Sequence, residues 1–461
     1  MAAPTSLPGL ILAIVTAACF VHYSGAAGGE AHPDKYLGIN YGRLGSNLPS
    51  VDQAVSLIAH STTIRKVKIF DADPSVLRAL ANTSIEVTIT FPDDLIYRTG
   101  RRALNAYRWI RSNVLPFVRS GTRVASICVG NEVLINVAAS GKRVPSQLVP
   151  ALYNLQSALQ RYDLHGIQLS TPHALNVLNP SFPPSRGTFR KDLLPYLRPL
   201  LQFLNATGAP LMVNPYPYFA YRADPRGSPL DYATFKLRRG AGVRDNRTGL
   251  LYTNLLDAQV DTVYAAMDAI GFPNVRVVVT ETGWPSGPES ETGASPANAA
   301  AYNGGVVRHV RSMSGTPLRP KVPLEAYIFA LFDENTKTGP ESEHHYGIYR
   351  ADMSVSYSIG VQTTPATPSP SSGSWCVAKA DTGVPQLQAA LDWACGPGKA
   401  DCSAIQPGKA CYVPNTVLAH SSYAFNNYYQ LNGRQASDCV FGGTAIVTNT
   451  NPSYQGCAYP S

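Results

Sequence analysis

The chain has 461 residues, of which 44% are hydrophobic and 15% charged, a globular composition that excludes a disordered polymer and a membrane-embedded bundle. At roughly 150 residues per domain it is long enough for two or three folded units, each with its own core. The formal charge is +8, but no dense Lys/Arg run or nucleic-acid motif accompanies it, which argues against a nucleic-acid partner.

In chain order, the apolar run 7–21, LPGLILAIVTAACFV, leads into small residues around Ser24–Ala27, so residues 1–27 are expected to form a cleaved secretion signal. The run falls short of the roughly 20 residues of a membrane anchor. The C-terminus, CAYPS, lacks the hydrophobic tail of a lipid-anchor signal, so the mature protein is expected to be soluble, extracellular and without stable membrane insertion. Asn82, Asn205 and Asn246 open N-glycosylation sequons, which an exported chain can use.

Eight β-branched or apolar runs then read as strands: YLGINYG from 36, RKVKIF from 65, IEVTITF from 85, VASICVGNE from 124, IQLSTPHA from 167, PLMVNPYPY from 210, VRVVVTETGW from 275 and PLEAYIFALFDE from 323. Stretches such as VDQAVSLIAH, SQLVPALYNLQSALQRY and NLLDAQVDTVYAAMDAIG between them carry apolar residues at helical spacing. Strand alternating with helix implies a parallel sheet, and eight repeats over residues 34–362 predict a (β/α)8 TIM barrel. No helix is evident after the eighth strand. The segment 363–373, TTPATPSPSSG, cannot bury apolar surface and reads as an extended linker.

Residues 374–461 hold six of the eight cysteines, the density of a small disulfide-stapled domain, and their four basic residues balance four acidic ones. Six cysteines allow 15 pairings, which spacing alone does not resolve. Cys128, inside the apolar VASICVG, reads as a buried, inert thiol.

Reactive residues of such barrels sit where strands end, and two strands end on a carboxylate: VGNE places Glu132 after the fourth and VTETGW places Glu281 at the end of the seventh. Barrel closure brings such a pair to the roughly 5–5.5 Å of a double-displacement glycosidase. In such a pair one carboxyl must be ionised to attack the anomeric carbon and the other protonated to serve as acid, which requires a raised pKa. His344 and His345 are adjacent rather than at zinc-binding spacing, so neither metal nor cofactor is expected.

GINYGRLGSNLPS, KVKIFDADPSVLRAL, VGNEVL, PHALNVLNPSFPPS, VTETGWPS and FALFDENTKTGPESE together resemble the plant β-1,3-glucanases of glycoside hydrolase family 17. The resemblance implies a retaining endo-hydrolase of β-1,3-glucan with Glu132 as acid/base and Glu281 as nucleophile, acting as a monomer in the apoplast or cell wall. Hydrolysis of mixed-linkage β-1,3;1,4-glucan and non-catalytic callose binding are the alternatives. It also implies that Asn131 bonds a sugar 2-hydroxyl, unless it only closes the strand. Tyr216 would steady the nucleophile, unless it is a core aromatic. Glu334, Lys337 and Glu343 would line the cleft, unless they form a solvated loop. Tyr41 and Trp284 either stack on pyranose faces or pack the barrel mouth.

WCV, DWACG, CYVPN and YAFNNYYQ in the last 88 residues resemble the plant carbohydrate-binding module of family 43. That resemblance implies the pairs Cys376–Cys439, Cys395–Cys402 and Cys411–Cys457. Trp375, Tyr423, Tyr428 and Tyr429 are the candidate stacking aromatics, although part of such a cluster must also build the small core.

Overall fold

The computed structural model describes residues 34–134, 143–363, 374–432, 434, 436–448, 451–454 and 457–460. The expected signal 1–27 and, apart from Thr363, the linker 363–373 lie outside the described residues. Two compact units divide after Thr363.

In the first unit all eight expected strand runs form strands: β1 (Leu37–Asn40), β2 (Lys66–Lys68), β3 (Glu86–Phe91), β4 (Arg123–Val129), β5 (Gln168–Ser170) with β6 (Pro172–Ala174), and β7 (Leu211–Asn214). A small antiparallel ribbon, β8 (Val243–Arg244) and β9 (Leu251–Tyr252), follows. Then come β10 (Val277–Thr282) and β11 (Ala326–Ile328). The sheet order β5-β4-β3-β2-β1-β11-β10-β7-β6 is parallel at every pairing. Both sheet ends belong to one stretch of chain interrupted at Thr171, so the ring comes round on itself there. This is the (β/α)8 barrel, nearly closed. Strands covered on both faces read as continuous apolar runs rather than alternating ones, and β10 is buried at all six positions.

Helices pack around this ring because their apolar faces need the sheet. Val51–Ser61 opens with a Ser50/Gln53 capping box and buries Ala54, Val55 and Ile58. Leu255–Ala269 and Pro296–Arg311 are capped by the side chains of Asn254 and Ser295. Within the first unit no α-helix follows β11 among the described residues. The chain runs through a 3-10 turn, Glu341–His344, and returns beneath the first helix, where Thr63 N–H donates to Val361 O (2.9 Å) and Thr363 N–H to Ser61 O (3.0 Å). Closure depends on β1 pairing β11, so the missing helix costs the ring nothing.

The second unit is a two-stranded antiparallel sheet, β12 (Trp375–Ala378) with β13 (Ala445–Thr448), set against helices Val384–Cys395 and Val417–Leu431. Disulfides join Cys376–Cys439, Cys395–Cys402 and Cys411–Cys457, the pairs implied by the family resemblance. A core this small gains stability from such staples.

Candidate active site

The C-terminal ends of the barrel strands open on a cavity of about 1080 Å³, and both Glu132 and Glu281 line it. Glu281 lies inside β10, held by the ring itself. Its Oε1 accepts from Lys68 Nζ at 2.6 Å, and its Oε2 from the Tyr216 hydroxyl at 3.2 Å. Lys68, at the end of β2, is fully buried with its ammonium 4.1 Å from the Phe70 ring centroid. Burial and the neighbouring Glu281 charge push the Tyr216 hydroxyl well above its ordinary pKa, so it remains a donor.

Glu132 sits differently, on the turn just beyond β4. Gly130 and Glu132 both take left-handed conformations, φ 74° and 55°. A Cβ at Gly130 would come within 2.7–2.8 Å of Ile96, Val133 and Asp93, so only glycine lets the turn pass. Asp93 Oδ1 accepts from Asn131 N–H at 2.9 Å and pins the turn. Glu132 Oε1 accepts from Asn214 Nδ2 at 2.8 Å, and Asn214 Oδ1 in turn accepts from Thr280 Oγ1 at 2.9 Å. Burial, then the charge of Glu281, raise the Glu132 pKa against the lowering influence of Asn214, Lys68 and Lys337. One carboxylate therefore faces two donors, while the other is biased toward its protonated form. Two carboxyls in settings this unequal can divide acid and base roles between them.

The rim is built by the segment after β11. Glu334 is buried and accepts from Leu44 N–H at 2.7 Å, and a Cβ at Gly42 would meet its carboxylate at 2.4 Å. Lys337 Nζ pairs with Glu343 at 2.7 Å and lies 4.1 Å from the Phe329 centroid. Among the described residues no three His, Cys, Asp or Glu side chains gather as a cation site, and no helix is long and apolar enough to cross a membrane.

The family model described as glycosyl hydrolases family 17 matches residues 37–361, and the X8 domain model matches residues 374–446. The chain belongs to glycosyl hydrolases family 17. As a family 17 chain it is a glycoside hydrolase. Similar curated proteins include glucan endo-1,3-beta-glucosidase 7 of Arabidopsis thaliana, 44% identical over 94% of this chain and 85% of that protein. The glucan endo-1,3-beta-D-glucosidase of Olea europaea is 44% identical over 94% of this chain and 95% of that one. Among solved structures, CJP38, a β-1,3-glucanase and allergen of Cryptomeria japonica pollen, superposes with a TM-score of 0.67 at 41% identity, over 71% of this chain and 99% of its own.

In this family 17 barrel Tyr41, Asn131, Glu132, Tyr216, Glu281, Glu334, Lys337 and Glu343 all border the one cavity. The buried Asn131 Oδ1 has no hydrogen-bond partner. Trp284 does not join them, which corrects its reading as an aromatic that stacks on pyranose faces. It is fully buried behind β10 against Tyr218, Tyr221 and Tyr302, with its indole N–H donating to Gly293 O at 2.8 Å. The aromatic walls are instead Tyr41, Phe70, Tyr216, Phe219 and Phe329. Sequence reasoning passed over Lys68 and Asn214. The available signal was a lysine inside a strand of an all-parallel sheet, where both faces are covered and a cation needs a buried partner.

In the X8 unit, Trp375, Tyr423 and Tyr429 are core residues, 7%, 7% and 2% exposed, and so are corrected as stacking candidates. Tyr428 alone of the four reaches a surface cleft, in company with Trp393 and Phe441. Asn82, Asn205 and Asn246 are all exposed. Cys128 is buried, 3.6 Å from Met212 Sδ, and burial pushes its thiol up to about 12.

Proposed function

We propose that this hydrolase is secreted and, acting as a monomer, cleaves internal β-1,3-glucosidic bonds of β-1,3-glucan by double displacement with retention of configuration. The observation that carries the chemistry is the unequal setting of two carboxyls in one cavity: Glu281 between the donors Lys68 and Tyr216, Glu132 raised by burial. In the first step Glu132 gives its proton to the glycosidic oxygen as the C1–O bond breaks, and Glu281 forms a bond to C1. In the second, Glu132, now a carboxylate, takes a proton from water as the water oxygen attacks C1 and Glu281 leaves. Asn131 Oδ1 accepts from the sugar 2-hydroxyl, while Lys337 and Glu343 bind hydroxyls at the rim.

The β-1,3 linkage is supported by the names of the Arabidopsis and olive relatives and the pollen β-1,3-glucanase. Secretion is supported by the apolar run 7–21 and by three disulfides. The test is release of reducing ends from laminarin by the wild type and by Glu281→Ala, with barley mixed-linkage glucan as comparison. Laminarin cleavage that Glu281→Ala abolishes, with the β-anomer as first product, is the expected result. No release by the wild type refutes the proposal, and preference for barley glucan refutes the linkage.

A further inference from the structure

Beside the catalytic cavity lies a second chamber of about 440 Å³, and the two share Leu175, Ala220 and Gln259 as lining. The segments that follow β6 and β7 build it. On one side, Leu178, Ser181 and Phe182 come from the stretch beyond the Leu175–Val177 turn, fixed where Thr262 Oγ1 donates to Ser181 O at 3.1 Å. On the other, the chain is folded back by Gly227 N–H donating to Asp224 Oδ1 at 3.0 Å and Ser228 N–H to Asp224 O at 2.9 Å, and the short helix Leu230–Ala233 sets Tyr232 in the wall.

Two polar groups lining this chamber are buried without partners. The Tyr232 hydroxyl and Gln259 Oε1 make no hydrogen bond among the described residues, and Tyr232 is only 2% exposed. Buried polar atoms are nearly always paired, so two orphans lining one chamber point to a ligand that brings hydroxyls to them. Burial, then the charge of Asp257, raises the Tyr232 pKa, so its hydroxyl remains a donor, while Gln259 Oε1 can only accept. Leu178, Phe182, Val243 and Leu255 supply apolar surface around them, the mixture that sites for small ligands use. Asp224 is the one charged residue among the described residues lining the chamber, so an anionic substituent finds no counter-charge.

We propose that the chamber receives a single glucosyl branch carried on the β-1,3-glucan chain, with Tyr232 and Gln259 setting a preference for branched over linear substrate; this rests on the glucan reading above and extends it to the shape of the substrate. A backbone unit of such a chain keeps two ring hydroxyls and the 6-hydroxyl free. Only the 6-hydroxyl stands on an exocyclic carbon, whose extra rotatable bond lets a substituent swing off the line of the chain. The branch is therefore 6-O-linked. The lip it crosses is low at Ala220, which carries only a methyl group.

The test reads binding apart from turnover. The full chain carrying Glu132→Gln, which keeps the Lys68–Glu281 pair and lacks the acid, is titrated calorimetrically with linear laminaripentaose and with the same sugar bearing one 6-O-β-glucosyl unit on its central residue. The branched sugar is expected to bind about tenfold tighter. Tyr232→Phe in the same chain shrinks that preference about fivefold, and Ser228→Trp, which fills the chamber from its half-buried edge, abolishes it. The linear sugar is the reference in each variant, so a folding defect lowers both affinities and is told apart from loss of the branch site. Equal affinity for the two sugars, or a preference that survives both substitutions, overturns the inference. A preference for the branched sugar in a chain whose wild type releases no reducing ends from laminarin supports the chamber while refuting the catalytic proposal.

Discussion

Replacing Lys68 with Met removes a fully buried ammonium 2.6 Å from Glu281, whose own side chain is 9% exposed. Neither partner can turn to solvent for compensation. At the effective dielectric of about 20 that suits protein sites, two charges about 4 Å apart attract by about 4 kcal/mol. Stranding one partner of a buried pair costs about 3–5 kcal/mol. With an unfolding entropy of about 2.1 cal/mol/K per residue, a barrel unit of this size loses about 6 °C in Tm for a loss of that order. Glu281→Gln strands Lys68 in its turn. The double variant Lys68→Met/Glu281→Gln buries no unpaired charge and should recover most of the stability lost by Lys68→Met alone, leaving a coupling energy of at least about 2 kcal/mol. Denaturant unfolding of the four proteins closes the cycle. Losses that simply add would refute the account of Lys68 as counter-charge. The kcat of Lys68→Met should fall by about 100-fold or more, as when a preorganised electrostatic partner is removed.

Four further outcomes follow from the structure. With Glu132 proposed as the protonated acid and its pKa raised by burial, activity should persist as pH rises past about 4.3, the ordinary glutamate value, and decline only as Glu132 ionises. Glu132→Gln should abolish laminarin cleavage yet still accumulate the glycosyl-enzyme from a dinitrophenyl glycoside, whose leaving group needs no acid; equal activity of this variant on laminarin would refute the assignment. Gly130→Ala forces a Cβ into Ile96, Val133 and Asp93 at a φ of 74°, so kcat should drop at least tenfold with the barrel still folded, read by laminarin kinetics beside circular dichroism. With its thiol pushed up to about 12, Cys128 should resist iodoacetamide at pH 8 in the folded chain and react once unfolded, which mass spectrometry distinguishes.

The parts of the fold that sequence made visible are those written locally. Each barrel strand is its own apolar run, and VGNE and TETGW mark strand ends, so Glu132 and Glu281 were legible without coordinates. Lys68 was not, because its significance depends on a partner 213 residues away. Trp284 misled by proximity to the carboxylate. It stands two positions past the end of β10, where the chain has left the strand and carries the indole in among Tyr218, Tyr221 and Tyr302. In the second unit, Leu387, Leu391 and Ala394 define the buried face of the Val384–Cys395 helix, and Trp393 falls off that face. Helical spacing therefore separates the exposed aromatic from the core ones, while Trp375 of the conspicuous WCV motif belongs to the core.

The bond from Leu44 N–H to Glu334 spans 290 positions, and the bond from Lys68 to Glu281 spans 213. Each joins the first strands of the ring to the last. A chain still short of residue 281 lacks the carboxylate proposed as nucleophile, one short of residue 326 has no β11 to shut the ring, and one short of residue 334 has an unfinished rim. Hydrolytic competence is thus all-or-none with respect to chain completion. Truncations from the barrel's C-terminal side should yield inert proteins rather than weaker enzymes.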